Sequence, residues 1–377
     1  MTMRRLSAWL AMRATATGVL FIVAACATTP QPAAVLHGEG LGSTWSVKLG
    51  EPSPVDLAKV QLGIQASVDD VAHDVSRWEA TSSLNAMNAS LSSDWQSVSD
   101  GLFTPLSYAF LLAADTGGAY DPTVAALVDV WGFGKAGRRY QPPDAAAIEA
   151  ARERVGYAKV ALDRAGSRVR KPAGMQIDLS SMTHGHAADQ VAEYLNSLGL
   201  HSYLVDVGSE IRARGESPEG GAWHVAIEQP PPEVANSGGA GTRQDSPGQG
   251  GPAGSQRQGK EDRGSQTEST VAHVVKLRDA GIATSGNFRY YFDYNGRRYS
   301  HRIDPRTGEP VAHALASVTV IDPVCMHADA LATALTVLGP DEGLQYATNR
   351  DIAALFIVRS GNALVEKMTP RFAAYLN

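Results

Sequence analysis

A long stretch of the sequence, from Gln229 to roughly Thr270, is unable to contribute to a folded core. It consists mainly of Pro, Gly, Ser, Gln and Asn and carries almost no large apolar side chain, so no buried surface offsets the entropy lost on ordering it. Strand-like segments flank it at 223–227 and 271–277. We therefore predict a disordered insertion at about 230–270, placed in a hairpin-like connection within one domain.

The rest of the chain alternates between strand and helix patterns. Apolar residues recur every three or four positions from Leu57 to Trp78, after a Ser53-Pro54 start signal, and predict a long helix with a core-facing stripe. A second helix is predicted to end at Gly199, and a third, Ala328–Leu338, at Gly339-Pro340. The strand candidates are Ser43–Leu49, Met175–Ile177, Tyr203–Val207, Trp223–Ile227, Val271–Leu277, a segment around Tyr290–Tyr299, Ser317–Ile321 and Ala353–Val358. These elements predict an α+β fold with mixed or antiparallel sheets and packed helices.

The N-terminal residues have the pattern of a bacterial lipoprotein signal. Basic residues precede an apolar stretch too short to span a bilayer, and Val23-Ala24-Ala25 stands directly before Cys26. We expect residues 1–25 to be removed, Cys26 to be lipidated, and residues 26–36 to tether a domain at 37–377 to the inner or outer membrane, facing the periplasm. A chance cysteine after an ordinary signal peptide is the alternative.

Composition limits the function classes. The 377 residues carry a formal net charge of −6, and Lys and Arg form no long run, so the chain offers no basic field for nucleic acid. The hydrophobic content of 44% suffices for one large or two medium domains. The second cysteine, Cys325, lies in an apolar context and is predicted to be a buried small side chain.

A pair of oxygen-bearing side chains suggests a metal site. Asp329 and Thr333 lie four residues apart on the predicted helix Ala328–Leu338, so they share one helix face. A carboxylate and a hydroxyl close together suit magnesium, which keeps positions for water and phosphate. Taken alone, the pair is better explained by a threonine bonded to its own helix and an aspartate favoured near a helix N-terminus.

Two further segments are rich in polar residues. Small residues in Asp178–His186 expose the backbone, whose carbonyls can reach a metal and whose amides can reach phosphate. His184 and His186 lack further ligands at convincing zinc spacing, so a zinc site is rejected. The segment Ser300–Gly308 joins a His, an Asp and two Arg, a composition suited to phosphate binding and proton transfer.

Together these segments resemble the ApbE family of FAD:protein FMN transferases along nearly the whole mature chain. The motifs occur in the family's order: Leu41–Ser46, Ser76–Trp78 with Ser83-Leu84 and Asn88, Tyr120–Val124 with Trp131–Gly134, Val205–Gly215, Ala283–Arg289, Tyr299–Pro305 and Met326–Leu335. The last three are the most specific. The resemblance implies the family's T-fold-like architecture.

The resemblance also implies a role for individual residues. FAD is expected to bind with its pyrophosphate at Mg²⁺, which is held by Asp329, Thr333 and the main-chain carbonyl of Ser181. Trp78 corresponds to the aromatic residue that packs on the flavin nucleotide. His301 is the candidate base or phosphate-stabilising donor, with Asp304 or another carboxylate as the alternative. The other expected FAD-binding positions are Leu41, Ala119, Tyr120, Asp121, Asp178, His184 and Arg302.

The chain departs from the family at two of these places. Leu41 is one departure, and the other is Met182–His186, where the family commonly has Ile-Ala-Lys-Gly-Tyr. His184 thereby replaces a lysine whose charge is fixed. Because a histidine is mostly neutral near pH 7, attraction for phosphate is expected to be weaker and activity slower or pH-sensitive.

The implied reaction is Mg²⁺-dependent transfer of FMN from FAD, through a phosphoester bond, to a threonine of an acceptor flavoprotein, with release of AMP. The alternatives are an FAD pyrophosphatase that yields FMN and AMP, and a lipoprotein that binds FAD without chemistry. Trp78 favours transfer, because hydrolytic members carry a small polar residue there, and the retained Asp329, Thr333 and His301 argue against mere binding.

The resemblance points to acceptors among the periplasm-exposed flavoprotein subunits of electron-transport complexes, such as the sodium-pumping NADH:quinone reductase. Such acceptors carry an Asp-x-x-(Ser/Thr)-Gly-Ala-Thr motif. Gly281–Thr284 is a poor match to it, so self-flavinylation is not expected.

Overall fold

The computed structural model describes residues 34–51, 55–231, 270–287 and 290–376. Several predicted features lie outside these ranges: the signal peptide, Cys26, most of the tether, the Ser53-Pro54 start signal, most of the insertion and the pair Phe288-Arg289. Within the described ranges, no helix is both long enough and apolar enough to cross a membrane.

Helices and strands are interspersed along the chain. The helices are α1 (Leu57–Val75), α2 (Ser83–Ala89), α3 (Asp100–Asp115), α4 (Ala125–Val130), α5 (Ala145–Arg152), α6 (Thr183–Ser197), α7 (Cys325–Asn349) and α8 (Pro370–Ala373). The strands are β1 (Val35–Gly40), β2 (Ser43–Leu49), β3 (Gln96–Ser97), β4 (Ala161–Asp163), β5 (Arg168–Arg170), β6 (Tyr203–Val207), β7 (Glu210–Arg214), β8 (Trp223–Glu228), β9 (Val271–Leu277), β10 (Ala280–Gly286), β11 (Tyr291–Tyr294), β12 (Arg297–Ser300), β13 (Ile303–Asp304), β14 (Glu309–Pro310), β15 (Leu315–Asp322), β16 (Ala353–Ser360) and β17 (Ala363–Met368). This is the predicted α+β fold.

An eight-stranded sheet forms the centre of the fold. Its strands run in the order β1-β2-β6-β7-β10-β15-β16-β17, and every neighbouring pair is antiparallel. Side chains alternate between its two faces: Val320 packs into a core shared with α1, α3, α6 and α7, whereas Ile321 packs with β8, β9 and α8. Strand β15 is buried along nearly its whole length because both of its faces are covered.

Helix α1 confirms the long-helix prediction but not the full stripe. The Asp56 side chain caps the helix by accepting a hydrogen bond from the amide of Ala58 at 3.0 Å. The middle of the predicted stripe is buried: Val60, Ile64, Val68, Val71 and Val75. Both ends of the prediction are wrong, because Leu57 is 38% exposed and Trp78 lies beyond the helix and is 41% exposed.

The two other predicted helices exist with altered bounds. Helix α6 ends just before Gly199, whose φ of 76° lies in the left-handed region that favours glycine. Helix α7 begins at Cys325, earlier than predicted, and Gly339 interrupts it with a φ of 85° and a ψ of −177°. Pro340 then starts a second helical segment, since proline is tolerated in a first turn. Gly339-Pro340 is therefore a kink and not the predicted end.

Two strand predictions need correction. Met175–Ile177 is not a strand, because the amide and carbonyl of Ile177 bond to the Asn88 side chain, each at 2.8 Å, and not to another strand. The segment around Tyr290–Tyr299 is a hairpin of β11 and β12. Its turn is Asn295-Gly296, with φ of 49° and 75°, a sequence that favours a tight reversal.

The strands that flank the insertion pair as predicted. Trp223 of β8 lies opposite Leu277 of β9, and the register continues to Glu228 opposite Val271. The amide of Gln229 then donates to the carbonyl of Thr270 at 2.7 Å. The hairpin-like connection is thus confirmed for the described residues on either side. The remaining strand predictions are confirmed at β2, β6, β15 and β16.

Candidate functional site

A cleft of about 180 Å³ lies where α6 and α7 meet strands β7 and β10. Of the twelve residues predicted within the folded domain, only Leu41 does not line it. The other eleven converge from distant parts of the sequence: Trp78, Ala119, Tyr120, Asp121, Asp178, Ser181, His184, His301, Arg302, Asp329 and Thr333.

Helix α7 is fixed against α6 at the point where Asp329 enters the cleft. The Asp189 carboxylate accepts hydrogen bonds from the amides of Cys325 and Met326 at 3.1 and 2.9 Å, and so caps α7. Burial raises the pKa of Asp189 to about 6. Gly185 lets the two helices approach, since a Cβ there would lie 2.5 Å from the Cys325 carbonyl oxygen. Its amide donates to Asp329 Oδ2 at 3.2 Å.

Three buried polar atoms in this cleft have no hydrogen-bonding partner in the part of the chain that the structure describes. They are Glu210 Oε2, Arg302 Nε and Thr333 Oγ1. An unpaired buried polar atom is costly, and such atoms in native proteins commonly mark the place of a ligand or ion. The cleft is therefore built for a polar ligand that supplies the missing bonds.

The charges of the cleft are unbalanced in the absence of a ligand. Burial raises the pKa of Asp329 to about 7, although the Gly185 amide and Arg302 oppose that rise. Burial first, and then the charge of Asp329, raises the pKa of Glu210 well above its usual range. Burial also lowers the pKa of Arg302. Two carboxyl groups with raised pKa values in one cleft favour a bound cation, which stabilises their ionised forms.

The residues present fit a magnesium ion held mainly by oxygen atoms. Asp329 supplies a carboxylate, Thr333 an unpartnered hydroxyl, and Ser181 lines the same cleft. The Ser181 hydroxyl lies 2.9 Å from the Tyr120 hydroxyl, and its main-chain carbonyl is the ligand that the resemblance implies. Among the described residues, no three His, Cys, Asp or Glu side chains cluster as a metal site.

His301 is held in one tautomer. Its Nδ1 lies 2.8 Å from the carbonyl oxygen of Tyr290, so Nδ1 carries the proton and Nε2 keeps a lone pair. Burial, together with the charge of Arg302, lowers the pKa of His301 to about 3. The alternative base, Asp304, does not line the cleft, and Arg306 occupies both of its carboxylate oxygens at 3.0 to 3.2 Å.

A buried ion cluster, which the sequence did not predict, supports the mouth of the cleft. Arg77 is 2% exposed and donates to Asp129 at 2.6 Å and to Asp178 at 3.1 Å. A buried guanidinium is stable only when it is paired in this way. The adjacent Trp78 stays 41% exposed and lines the cleft, so its ring is available to a ligand.

Three other predicted residues, Asp121, Leu41 and His184, make contacts with neighbouring loops and side chains. The Asp121 carboxylate bonds Thr123 and the amide of Tyr157, so its side chain organises its own loop. Leu41 occupies the turn between β1 and β2 with a φ of 55°, and its carbonyl oxygen lies 3.3 Å from His184 Nε2. Burial lowers the pKa of His184, whose Nδ1 is 3.8 Å from Glu210 Oε2. The lowered pKa favours the neutral form of His184 near pH 7.

Arg77 and Glu210 are functional candidates that sequence reasoning missed. Both stand inside motifs that carry the resemblance, yet neither received a role. No local pattern singles out Glu210, because the strand that it begins also carries Arg212 and Arg214.

The fold is an antiparallel α+β fold whose cleft holds buried polar atoms that are incompletely paired. The chain belongs to the ApbE family, whose model matches residues 41–356. It is 31% identical to the FAD:protein FMN transferase of Klebsiella pneumoniae over 373 residues, which cover 97% of each protein.

Two solved structures share the fold. One is the apo form of the Pseudomonas stutzeri flavinyl transferase ApbE, with a TM-score of 0.76 and 32% identity, covering 91% of this chain and 96% of that one. The other is the flavin transferase ApbE from Vibrio cholerae, with a TM-score of 0.76 and 31% identity, covering 92% of this chain and 100% of that one.

Proposed function

We propose that this protein transfers FMN from FAD to a threonine of an acceptor flavoprotein, with Mg²⁺ as its metal, and releases AMP. One observation carries the proposal. In a chain of the ApbE family, the unpaired Glu210, Arg302 and Thr333 atoms surround a single cleft that also holds Asp329 and His301. The relatives named above are FAD:protein FMN transferases and flavin transferases.

The chain's own residues bind and orient the substrate in this proposal. Asp329, Thr333 and the Ser181 carbonyl would hold the metal, which would supply charge neutralisation at the pyrophosphate. Arg302 presents a buried donor to phosphate oxygens, and Trp78 offers its ring to the nucleotide at the mouth. Phe133 and Val337 line the cleft and exclude water from part of it.

His301 is the proposed base. The threonine oxygen forms a bond to the FMN-side phosphorus, the pyrophosphate P–O bond breaks, and AMP departs with the electron pair. The threonine proton passes to Nε2 of His301, the nitrogen left free by the bond from Nδ1 to Tyr290. A bound pyrophosphate is anionic and raises the pKa of His301 from about 3 toward the working pH.

The acceptors we propose are periplasm-exposed flavoprotein subunits of electron-transport complexes, of the sodium-pumping NADH:quinone reductase type. We also propose that a lipid on Cys26 anchors the protein at the periplasmic face of a membrane. The support for both is the sequence: the family motifs for the first, and the Val23–Cys26 pattern for the second.

One incubation tests the proposed reaction. The purified protein is mixed with FAD, Mg²⁺ and the unflavinylated acceptor subunit, and the products are measured by mass spectrometry and chromatography. We expect acceptor that carries covalent FMN, with one AMP released for each FMN attached. Free FMN with unmodified acceptor identifies a pyrophosphatase instead, and intact FAD identifies a binding protein. An acceptor whose target threonine is replaced by alanine is the matched control.

A further inference from the structure

A second concave surface lies near the cleft, and the reaction proposed above uses none of the residues that line it. This basic depression has a volume of about 440 Å³ and is lined by Arg138, Arg139, Tyr140, Gln141 and Tyr294. It lies between the loop that follows Trp131–Gly134 and the β11–β12 hairpin. All five lining side chains are exposed.

The basic depression connects to the candidate base through one residue. The Arg138 guanidinium carbon lies 5.0 Å from the centre of the Tyr290 ring, and Tyr290 lines the cleft. The carbonyl oxygen of the same Tyr290 receives the Nδ1 hydrogen bond of His301. Strand β11 (Tyr291–Tyr294) directly follows Tyr290, so Tyr290 in the cleft and Tyr294 at the far side of the basic depression are about 13 Å apart at ~3.3 Å per residue.

Positive charge dominates the surroundings of the basic depression. Arg138 and Arg139 line it, and the exposed Arg297 and Lys135 extend from the same hairpin and loop. Among the described residues, the acidic groups of this hairpin region are Asp293, which pairs with Arg298 at 3.2 Å, and Glu309, which lies 3.9 Å from Arg297. The patch contrasts with a chain whose formal net charge is −6.

The loop that carries Arg138 and Arg139 packs tightly against the rest of the fold. Gly132 has a φ of 78°, and a Cβ at this position would collide with the backbone and Cβ of Arg139. Trp131 donates its indole hydrogen to the Gly308 carbonyl at 2.8 Å and stacks on Tyr299 of β12. Loop and hairpin therefore hold the two walls of the basic depression in a fixed arrangement, which lowers the ordering cost of binding.

We propose that the basic depression binds an acidic segment of the acceptor protein close to its target threonine. This inference rests on the proposed transferase function. A threonine that reaches His301 leaves its neighbouring residues near Tyr290, whose ring contacts Arg138 of the basic depression. An extended segment covers the 13 Å with about four residues. Carboxylates about that far from the threonine then meet Arg138 and Arg139, while Tyr140 and Tyr294 contact the chain between them.

The test is a charge reversal with steady-state kinetics. The double variant Arg138→Glu/Arg139→Glu is compared with the parent and with Arg164→Glu/Arg170→Glu, which changes the net charge equally on the exposed β4–β5 hairpin. The probe is the unflavinylated flavoprotein subunit of a sodium-pumping NADH:quinone reductase. Circular dichroism and thermal unfolding establish that all three proteins are folded.

We expect the Arg138/Arg139 variant to raise the KM for the acceptor about tenfold at low salt, with kcat and the KM for FAD within about twofold of the parent. The difference should shrink in 0.5 M NaCl, because salt screens exposed charges. The control variant should behave as the parent. An acceptor in which carboxylates within about six residues of the threonine are made neutral should lose the dependence on Arg138 and Arg139.

Three results would overturn the inference. An unchanged acceptor KM in the double variant excludes the basic depression as the docking surface, and a raised KM for FAD assigns the arginines to the nucleotide. Loss of binding to vesicles that contain phosphatidylglycerol, with acceptor kinetics intact, assigns the surface to lipid. Failure of the proposed function is distinguishable, since the parent protein itself then attaches no FMN to the acceptor.

Discussion

Replacing Asp329 by asparagine should stabilise the metal-free protein while abolishing its response to Mg²⁺. The carboxylate lies beside Glu210 in a cleft where burial raises its pKa to about 7, against an ordinary value of 3.8. The folded protein therefore holds a proton on Asp329 up to about pH 7, and at higher pH it carries a buried charge that costs stability. An amide has the same shape, carries no charge and can still accept the Gly185 amide bond.

The size of the expected stabilisation follows from the difference of about three between the ordinary pKa of an aspartate and the pKa of Asp329 in the folded protein. Each unit corresponds to about 1.4 kcal/mol, so the ionised carboxylate costs at most about 4 kcal/mol at pH 8. Structural relaxation reduces this cost, and we expect Asp329→Asn to raise the free energy of unfolding in EDTA by about 1 to 4 kcal/mol. At roughly 2 °C per kcal/mol, Tm rises by about 2 to 8 °C. The stability that Asp329→Asn gains over the parent should shrink as the pH falls from 7 toward 4.

The assay is thermal unfolding at pH 5 and pH 8, in EDTA and in Mg²⁺. The parent should gain about 3 kcal/mol when Mg²⁺ is present at a hundredfold excess over its Kd, and the variant should gain almost nothing. The matched control is Asp70→Asn, which replaces an exposed acid on α1. This control should change neither the Tm in EDTA nor the stability gained from Mg²⁺. The reasoning is refuted if Asp329→Asn lowers Tm in EDTA at pH 8, or if Mg²⁺ stabilises the variant as it does the parent.

Four further outcomes are expected. His301→Ala should lower kcat for FMN transfer by about 10² to 10⁴, with Mg²⁺ binding by calorimetry unchanged, because a general base acts only in the transition state; a kcat near that of the parent contradicts its role. Thr333→Val should weaken Mg²⁺ binding less than Asp329→Ala does, since it removes a neutral ligand; equal losses by calorimetry argue against this ligand set. Cys26→Ser should release the protein from membranes with transfer intact, and continued sedimentation with membranes rules out the anchor. Deleting 232–268 should leave Tm and transfer nearly unchanged, because Gln229 and Thr270 are already bonded; loss of soluble protein shows that the segment packs.

The sequence predicted those parts of the fold that depend on local pattern. The apolar spacing in α1 located its buried middle, and the glycines at 199 and 339 marked real interruptions of helices. Sequence-based prediction failed where a residue far away in the sequence determines the local conformation. Met175–Ile177 has the composition of a strand, yet Asn88, 89 residues away, takes up the backbone bonds of Ile177.

The candidate site was predicted through motifs, and its electrostatics were not. Eleven of the twelve predicted residues line one cleft, although no local pattern places Trp78 beside Asp329. The role of Arg77 depends on Asp178, 101 residues away, and that of Glu210 depends on burial beside Asp329. A residue's charge environment is a property of the packed chain, so it becomes visible only when the elements are assembled.

The register of β8 and β9 makes this hairpin a natural entry point for protein engineering. Residues 228 and 271 face each other as a strand pair, and the Pro231 carbonyl accepts a hydrogen bond from Arg359 at 2.8 Å. The chain thus leaves and re-enters the body at neighbouring points whose spacing the sheet sets. A fluorescent protein or an affinity tag whose own termini lie close together can be spliced between 232 and 268, and the enzyme can then be followed with both of its termini unaltered.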